Sequence, residues 1–359
     1  MPETKLIEQY IRERGLMNII SDYKLHLKSY PDRNVIIINH QRFKTEQNDI
    51  TIQCRGVVLH EENGNYNVIC RPMDKFYNDF EKDSEVFSYT EGVDVYEKAD
   101  GSLIKVYHHN NQFEIATNRT AFAEGPCNGQ TEFNSYKDFV LSVFGCANKE
   151  EFQVFMKNQD KNLTYMFELV SPHNKIITEY KKSEMILLAA RHTKTGAYVD
   201  IHTFPNARKP IKYNKNGKLY NKDDCKKLFC SLRDDEEGFV LINTFGLRQK
   251  LKNPPYLERI RQNRTKTLDK QRKKKSDSNT ELVNAVVKGE EAEFDGDASD
   301  TARSLSNRVL DYAEKENVNF IDLSDKDKTV MVWRVLNPSK KKKLKNRLKK
   351  VDVDDDVMT

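Results

Sequence analysis

The sequence predicts an α+β protein, with antiparallel sheets and packed helices followed by a mainly α-helical C-terminal domain. Three observations predict it. Short β-rich runs recur between residues 34 and 251, two of them joined by Glu62-Asn63-Gly64-Asn65, whose Asn-Gly step is a hairpin signal. Residues 135–144 and 149–156 carry apolar side chains at helical spacing. After Pro254-Pro255 the strand pattern stops, and charge blocks and helix-spaced runs take over. A chain of 359 residues suits two domains, on a prior of roughly 100 to 200 residues each, and the composition shift puts the boundary at 255/256.

Leu6, Ile7, Tyr10 and Ile11 are spaced for an amphipathic first helix. Strands are expected at 35–38, 50–52 and 56–59, with 66–70 completing the Asn-Gly hairpin. Val93 and Val95 alternate on one side of Lys98-Ala99-Asp100-Gly101-Ser102, and Leu103, Lys105 and Tyr107 alternate on the other, so Lys98 sits on a bend between strands. Residues 112–116 return antiparallel. The helices at 135–144 and 149–156 come next, then strands at 163–170 and 184–190 and a final pair at 238–242 and 247–251. Beyond the boundary, 260–275 reads as a basic helical stretch and 289–300 as an acidic segment. Leu305, Val309 and Tyr312 mark a helix within 302–314, Trp333 centres an apolar patch at 330–336, and the tail 351–359 is expected to be disordered.

Apolar residues make up 37% and charged residues 32% of the chain, with no apolar run near the roughly 20 residues a membrane span needs. The first 14 residues lack the apolar stretch of a secretory signal. The expectation is a protein of the cytoplasm, or of the cytoplasm of an infected host, with no membrane association. The six cysteines are dispersed without metal-ligand spacing and read as reduced thiols. The net charge of +5 is modest, but residues 272–275 and 340–350 are dense basic blocks, suited either to a polyanion or to plain solvation.

Chemistry concentrates around Lys98. A lysine becomes a nucleophile when its proton is removed, and the adjacent Asp-Gly lets a ribose and phosphate approach the backbone closely. Glu168 interrupts a run fit for a buried strand, and a carboxylate there needs a partner. Glu237 precedes another such run. Lys250 and Lys252 share one face of a strand, because side chains alternate with period two, and two ammonium groups so placed suit an anion between them. Taken singly, each has a bland reading: a solvated turn lysine, a core ion pair, a member of the acidic turn 234–237, a solvated strand edge.

Together and in this order, these segments resemble the bacteriophage T4 RNA ligase 1 family, within the covalent nucleotidyltransferases. The resemblance rests on Lys98-Ala99-Asp100-Gly101-Ser102, Phe167-Glu168, Glu237-Gly238-Phe239-Val240 and Lys250-Leu251-Lys252. It is sharpened by Cys54-Arg55-Gly56-Val57-Val58, by residues 71–78 and by Tyr256 beyond the last motif. It implies a nucleotidyltransferase (ATP-grasp-like ligase) core in residues 1–255, and an ATP-dependent RNA ligase that uses Mg²⁺ or Mn²⁺ and acts in RNA or tRNA repair.

The resemblance also assigns roles. Lys98 is the nucleophile that takes AMP from ATP, and Lys250 and Lys252 lower its pKa and stabilise the reacting phosphate. Glu237 holds the metal, with Glu168 on the ribose or the metal's outer shell. Arg55, Lys75 and Arg119 meet the β- and γ-phosphates, Arg119 being chosen over Asn118 because only it can pair with phosphate. Asp100 and Gly101 shape the turn under the nucleotide. Tyr256 is assigned to RNA, and the basic block Arg272, Lys273, Lys274 and Lys275 is assigned to the RNA backbone from its charge rather than from the resemblance. The expected partner is RNA with 5′-phosphate and 3′-hydroxyl ends, nicked tRNA included, alongside a separate end-healing kinase-phosphatase, and the expected state is a monomer. Alternatives at this stage are a capping guanylyltransferase or DNA ligase relative, or an inactive RNA-binding homologue. The first two place an arginine where this chain has Leu103 and append a β-barrel that the C-terminal pattern lacks.

Overall fold

Val35-Ile36-Ile37-Ile38 is apolar at every position, so a strand made of it has to be covered on both faces. The structure, a computed structural model, does this. It describes residues 5–41, 45–78, 87–126, 133–213, 216–263, 287, 297–316 and 318–336. Strand β2 (Val35–His40) lies in a four-stranded antiparallel sheet with β1 (Leu25–Tyr30), β3 (Val57–Glu62) and β4 (Asn65–Cys70), in the order β1-β2-β3-β4. Ile36 and Ile38 pack with Ile7 and Ile11 of α1 (Ile7–Arg14) and Leu16 and Ile19 of α2 (Leu16–Asp22). Val35 and Ile37 face the other way, onto Tyr107, Ala116 and Phe122. The β3–β4 turn has φ of +52° at Asn63 and +80° at Gly64, the left-handed pair that an Asn-Gly hairpin supplies.

The second sheet has six strands. Its path runs β11 (Tyr198–Val199), β10 (Glu184–His192), β9 (Leu163–Val170), β7 (Ser102–His109), β8 (Gln112–Ala116), with β12 (Ala207–Arg208) parallel to β10. One face buries Ile104, Val106, Tyr165 and Phe167 against Phe139 and Phe144 in and after α3 (Tyr136–Val143) and Phe152 of α4 (Lys149–Met156). Both helices start at side-chain caps, Ser135 accepting from the Asp138 amide and Asn148 from that of Glu151. The third sheet has five strands in the order β13 (Lys212–Tyr213), β6 (Val93–Glu97), β14 (Gly238–Asn243), β15 (Arg248–Lys252), β5 (Tyr77–Asn78). Val93, Val95, Phe239 and Leu241 of this sheet form a core with Cys225 of α5 (Lys222–Phe229).

The chain divides into two compact units, Met1–Arg261 and Gln262–Thr359. The three sheets belong to the first. In the second, Leu305, Val309 and Ala313, one turn apart along α6 (Asp297–Lys315), pack on Met331 and Val332 of α7 (Asp325–Leu336). The apolar patch around Trp333 is therefore part of a helix. No helix among the described residues is long and apolar enough to cross a membrane. The α+β class stands.

One local expectation needs correcting. Residues 50–52 are not a strand: Thr51–Gln53 is a 3₁₀ turn, because the Asn48 side chain accepts from the amides of Ile50 and Thr51 and diverts them from any ladder. The Lys98 bend lies between strands, as expected. It carries the chain from β6 in the five-stranded sheet to β7 in the six-stranded one. The acidic segment 289–296, the tail 351–359 and both basic blocks lie outside the described residues.

Candidate active site

Lys98, Ala99, Asp100 and Gly101 cross between two sheets, so their backbone groups need partners outside a ladder. The Lys98 amide donates to the Gly238 carbonyl (2.9 Å), and the Asp100 amide donates to the Tyr180 hydroxyl (3.0 Å). Asp100 is 2% exposed, and its carboxylate is consumed by structure. Oδ2 accepts from the amides of Ile177 (2.9 Å) and Thr178 (2.8 Å), and Oδ1 accepts from the Tyr256 hydroxyl (2.6 Å). Gly101 is required sterically, since a Cβ there would sit 2.2 Å from the Leu169 carbonyl oxygen.

This clamp sets Lys98 among carboxylates. Lys98 Nζ donates to Glu237 Oε2 at 2.7 Å, and Lys252 Nζ donates to Glu237 Oε1 at 2.7 Å, so one carboxylate bridges two ammonium groups. Glu237 is 7% exposed at its side chain, against 19% for Lys98 and 23% for Lys252, and the triad keeps one open end. Glu168 Oε1 accepts from the Gly101 amide at 3.2 Å.

Burial opposes the charge on Lys98, but Glu237, Glu168 and Asp100 outweigh it and hold the amine above the usual lysine pKa. Burial likewise opposes the Glu237 carboxylate, yet Lys98 and Lys252 hold it below the usual range. Glu168 goes the other way: burial, with Glu237 adding to it, pushes it up to about 7. The expectation that Lys250 and Lys252 depress the Lys98 pKa is thus corrected. Lys252 spends its charge on Glu237, and Glu237 in turn keeps Lys98 protonated. Lys250 lies 4.7 Å from the centre of the Phe76 ring.

The upstream segments are held rigidly. Arg191 binds both oxygens of Asp74 at 3.0 Å, and buried Arg71 pairs with Glu8 and donates to the Thr193 carbonyl (2.7 Å), fixing the stretch that carries Lys75. Half-buried Arg55 and Lys75 both act on His40, whose pKa is lowered by burial and then by these two cations. Arg119 is exposed on the turn after β8. Beside it the Asn118 backbone packs against Gly56, its carbonyl oxygen 2.9 Å from where a Gly56 Cβ would be.

Tyr256 is also corrected. It is 3% exposed with its hydroxyl on Asp100, so it braces the turn and offers RNA no surface. Tyr256→Phe should lower stability by about 2 kcal/mol, the size of one hydrogen bond to a charged group, with RNA affinity unchanged. Urea unfolding and RNA titration check this, and a loss of RNA affinity at unaltered stability would return Tyr256 to the RNA surface. Arg272, Lys273, Lys274 and Lys275 lie outside the described residues.

Two features escaped the sequence reading. Thr178, Tyr180 and the residue 177 amide, which together anchor Asp100, have no local signal, being 77 to 80 positions away. Lys105, inside an apolar alternation, had one. Glu168 and Glu237, hard oxygen donors electrically coupled to each other, fit Mg²⁺ or Mn²⁺ held mostly through water. Among the described residues no three His, Cys, Asp or Glu side chains gather into a larger metal cluster.

An RNA ligase family model of the T4 RNA ligase 1 type matches residues 53–256, from the Arg55 segment through Tyr256. The chain belongs to this RNA ligase family. A relative from Autographa californica nuclear polyhedrosis virus, provisionally named a bifunctional polynucleotide kinase/RNA ligase, is 28% identical over 80% of this chain and 41% of its own length. An RNA ligase of Rhodothermus phage RM378 is 22% identical over 61% of this chain and 62% of its own. The family member described here therefore spans less than two thirds of the length of either relative. Among solved structures, an archaeal ATP-dependent RNA ligase is 12% identical, with a TM-score of 0.45 over 93% of this chain and 79% of that one.

Proposed function

We propose that this chain is an ATP-dependent RNA ligase that works through a nucleotidylated lysine. The observation that carries the proposal is the Lys98–Glu237–Lys252 triad on a turn held by buried Asp100, within residues that match the RNA ligase family. In the reaction, Lys98 Nζ forms a bond to the α-phosphorus of ATP as the bond to pyrophosphate breaks. The AMP then passes to the 5′-phosphate of an RNA end, and a 3′-hydroxyl attacks that phosphate, releasing AMP and sealing the strand. Lys98 has to shed its proton before it attacks, and the Glu237 contact that holds the proton in the free protein has to loosen for this to happen. Lys252 and Lys250 stabilise charge on the phosphate as it reacts. Glu237 and Glu168 would hold a divalent cation, which when bound would supply further positive charge near the reacting phosphate. Arg55 and Lys75 bind the outgoing phosphates, for which arginine forks are suited.

Residues 1–261 form the adenylyltransferase unit in this reading, Tyr256 included, and the basic blocks beyond it bind the RNA backbone. The kinase in the name of the viral relative supports an end-healing kinase acting alongside, and its source supports an infected cell as the setting. The test is incubation with α-labelled ATP, GTP or NAD⁺ followed by denaturing electrophoresis. Label retained from ATP alone is expected, and label from GTP or NAD⁺ alone would replace the reading with a capping or NAD-dependent one.

A further inference from the structure

Lys105 is wholly buried, 0% exposed, in the middle of β7. Its cross-strand neighbours are Ala116 on β8 and Met166 on β9, neither of which can answer a charge. Its amine donates to the Gly56 carbonyl, and among the described residues this is its one hydrogen bond. Two N–H donors are left over. Among the described residues no carboxylate pairs with it, and the charged or titratable groups acting on it are Cys70 of β4 and Arg55. Arg55 has the same sign, and burial pushes the Cys70 thiol up to about 11, so it stays neutral and is no counter-ion. An ammonium buried without an anion is costly.

A second orphan belongs to a residue whose backbone meets the same glycine. Asn118 Oδ1 is buried with no hydrogen-bond partner. Lys105 and Asn118 converge on Gly56, where an added Cβ would lie 2.6 Å from Lys105 Nζ and 2.9 Å from the Asn118 carbonyl oxygen, and where φ is +83°. This is a polar cluster with unspent donors, an unspent acceptor and excess positive charge, next to Arg55. Asn118 is neutral and Arg119 exposed, so the end of β8 brings no buried cation to this point, whereas β7 does.

We propose that Lys105 is a positioning residue of the nucleotide site, and that the polyphosphate of the bound nucleotide is the anion its buried ammonium lacks, felt through Gly56 and Arg55. The inference rests on the nucleotidyl-transfer reading above. Lys105 fixes the Gly56 carbonyl, and with it the backbone that carries Arg55, while its charge adds to the positive potential there. Burial, helped by Arg55, pushes the Lys105 pKa down to about 8, so near that pH the free protein holds the amine only partly protonated. An arriving anion then completes the protonation.

The test is calorimetric titration of the full chain with α,β-methylene-ATP, which cannot transfer its nucleotide, at pH 8 in two buffers of different ionisation enthalpy. Glu168, Lys98 and the ligand itself also exchange protons, so the reading is the difference between wild type and variant. The wild type is expected to take up more protons than Lys105→Met, which should bind about tenfold more weakly, a typical coupling between neighbouring groups. Lys105→Arg should recover most of the affinity without the extra uptake, because arginine is always charged. Methionine keeps the stem and removes the buried charge, so the variant should melt no lower than the wild type. Equal uptake and equal affinity in wild type and Lys105→Met would overturn the inference. Wild type that fails to bind the analogue would overturn the nucleotide reading itself, and this inference with it.

Discussion

Lys98→Ala is expected to reduce retention of label from α-labelled ATP to background, because no other amine in the described site stands on the turn that the nucleotide reaches. The loss is of the covalent bond itself rather than of binding, so ATP affinity should change little. Sealing of an RNA supplied already adenylylated should persist in part, since that step uses AMP as a leaving group and needs no lysine nucleophile. Gel assays of both steps separate the two outcomes. Full adenylylation by the variant would remove Lys98 from the mechanism.

Glu237→Ala carries the second large effect. It leaves Lys98 and Lys252 facing one another without the carboxylate they share. Breaking a buried pair costs about 3 to 5 kcal/mol, and the lower end applies because both lysines keep some solvent contact. The urea midpoint should fall accordingly, and adenylylation should slow by about 10²- to 10³-fold, the scale of losing one preorganised charge. The pH dependence follows from the shifts. The Glu237 contribution is present above its unfolded pKa and is lost as pH falls through its lowered folded value. The Lys98 contribution is present below its unfolded pKa and is lost as pH rises through its raised folded value. The triad therefore stabilises the wild type between the carboxylate and lysine ranges, and the variant should show a flatter stability profile there. An unchanged urea midpoint would mean that the pairs contribute nothing to the fold.

Much of this site was legible because its parts are local. Period-two alternation located β6 and β7, near-continuous apolar runs located β9 and β14, and the period of two put Lys250 and Lys252 on one face of β15. Strand β1, helices α2 and α5 and the two-residue strands β11 to β13 were not foreseen. Their segments are short or polar, and tertiary packing decides them rather than propensity. What failed at the site failed for a different reason. Tyr256 and Asp100 are 156 positions apart, and only the fold joins them, so spacing alone could pass Tyr256 off as a surface residue. The sign of the Lys98 shift depends on which charge comes closest, and the sequence shows both lysines and carboxylates without ranking them. Lys105 was the readable exception, a cation in the apolar alternation of Leu103 and Tyr107, as conspicuous there as Glu168 is in β9.

The most direct test of the central claim is to locate the nucleotide on the protein. After incubation with ATP and Mg²⁺, proteolysis and mass spectrometry should find one adenylyl group, on the peptide containing Lys98, bonded at its Nζ. Adding RNA with a 5′-phosphate should remove it and yield adenylylated RNA. An adenylyl group on any other residue, or one on Lys98 that never passes to RNA, would contradict the account.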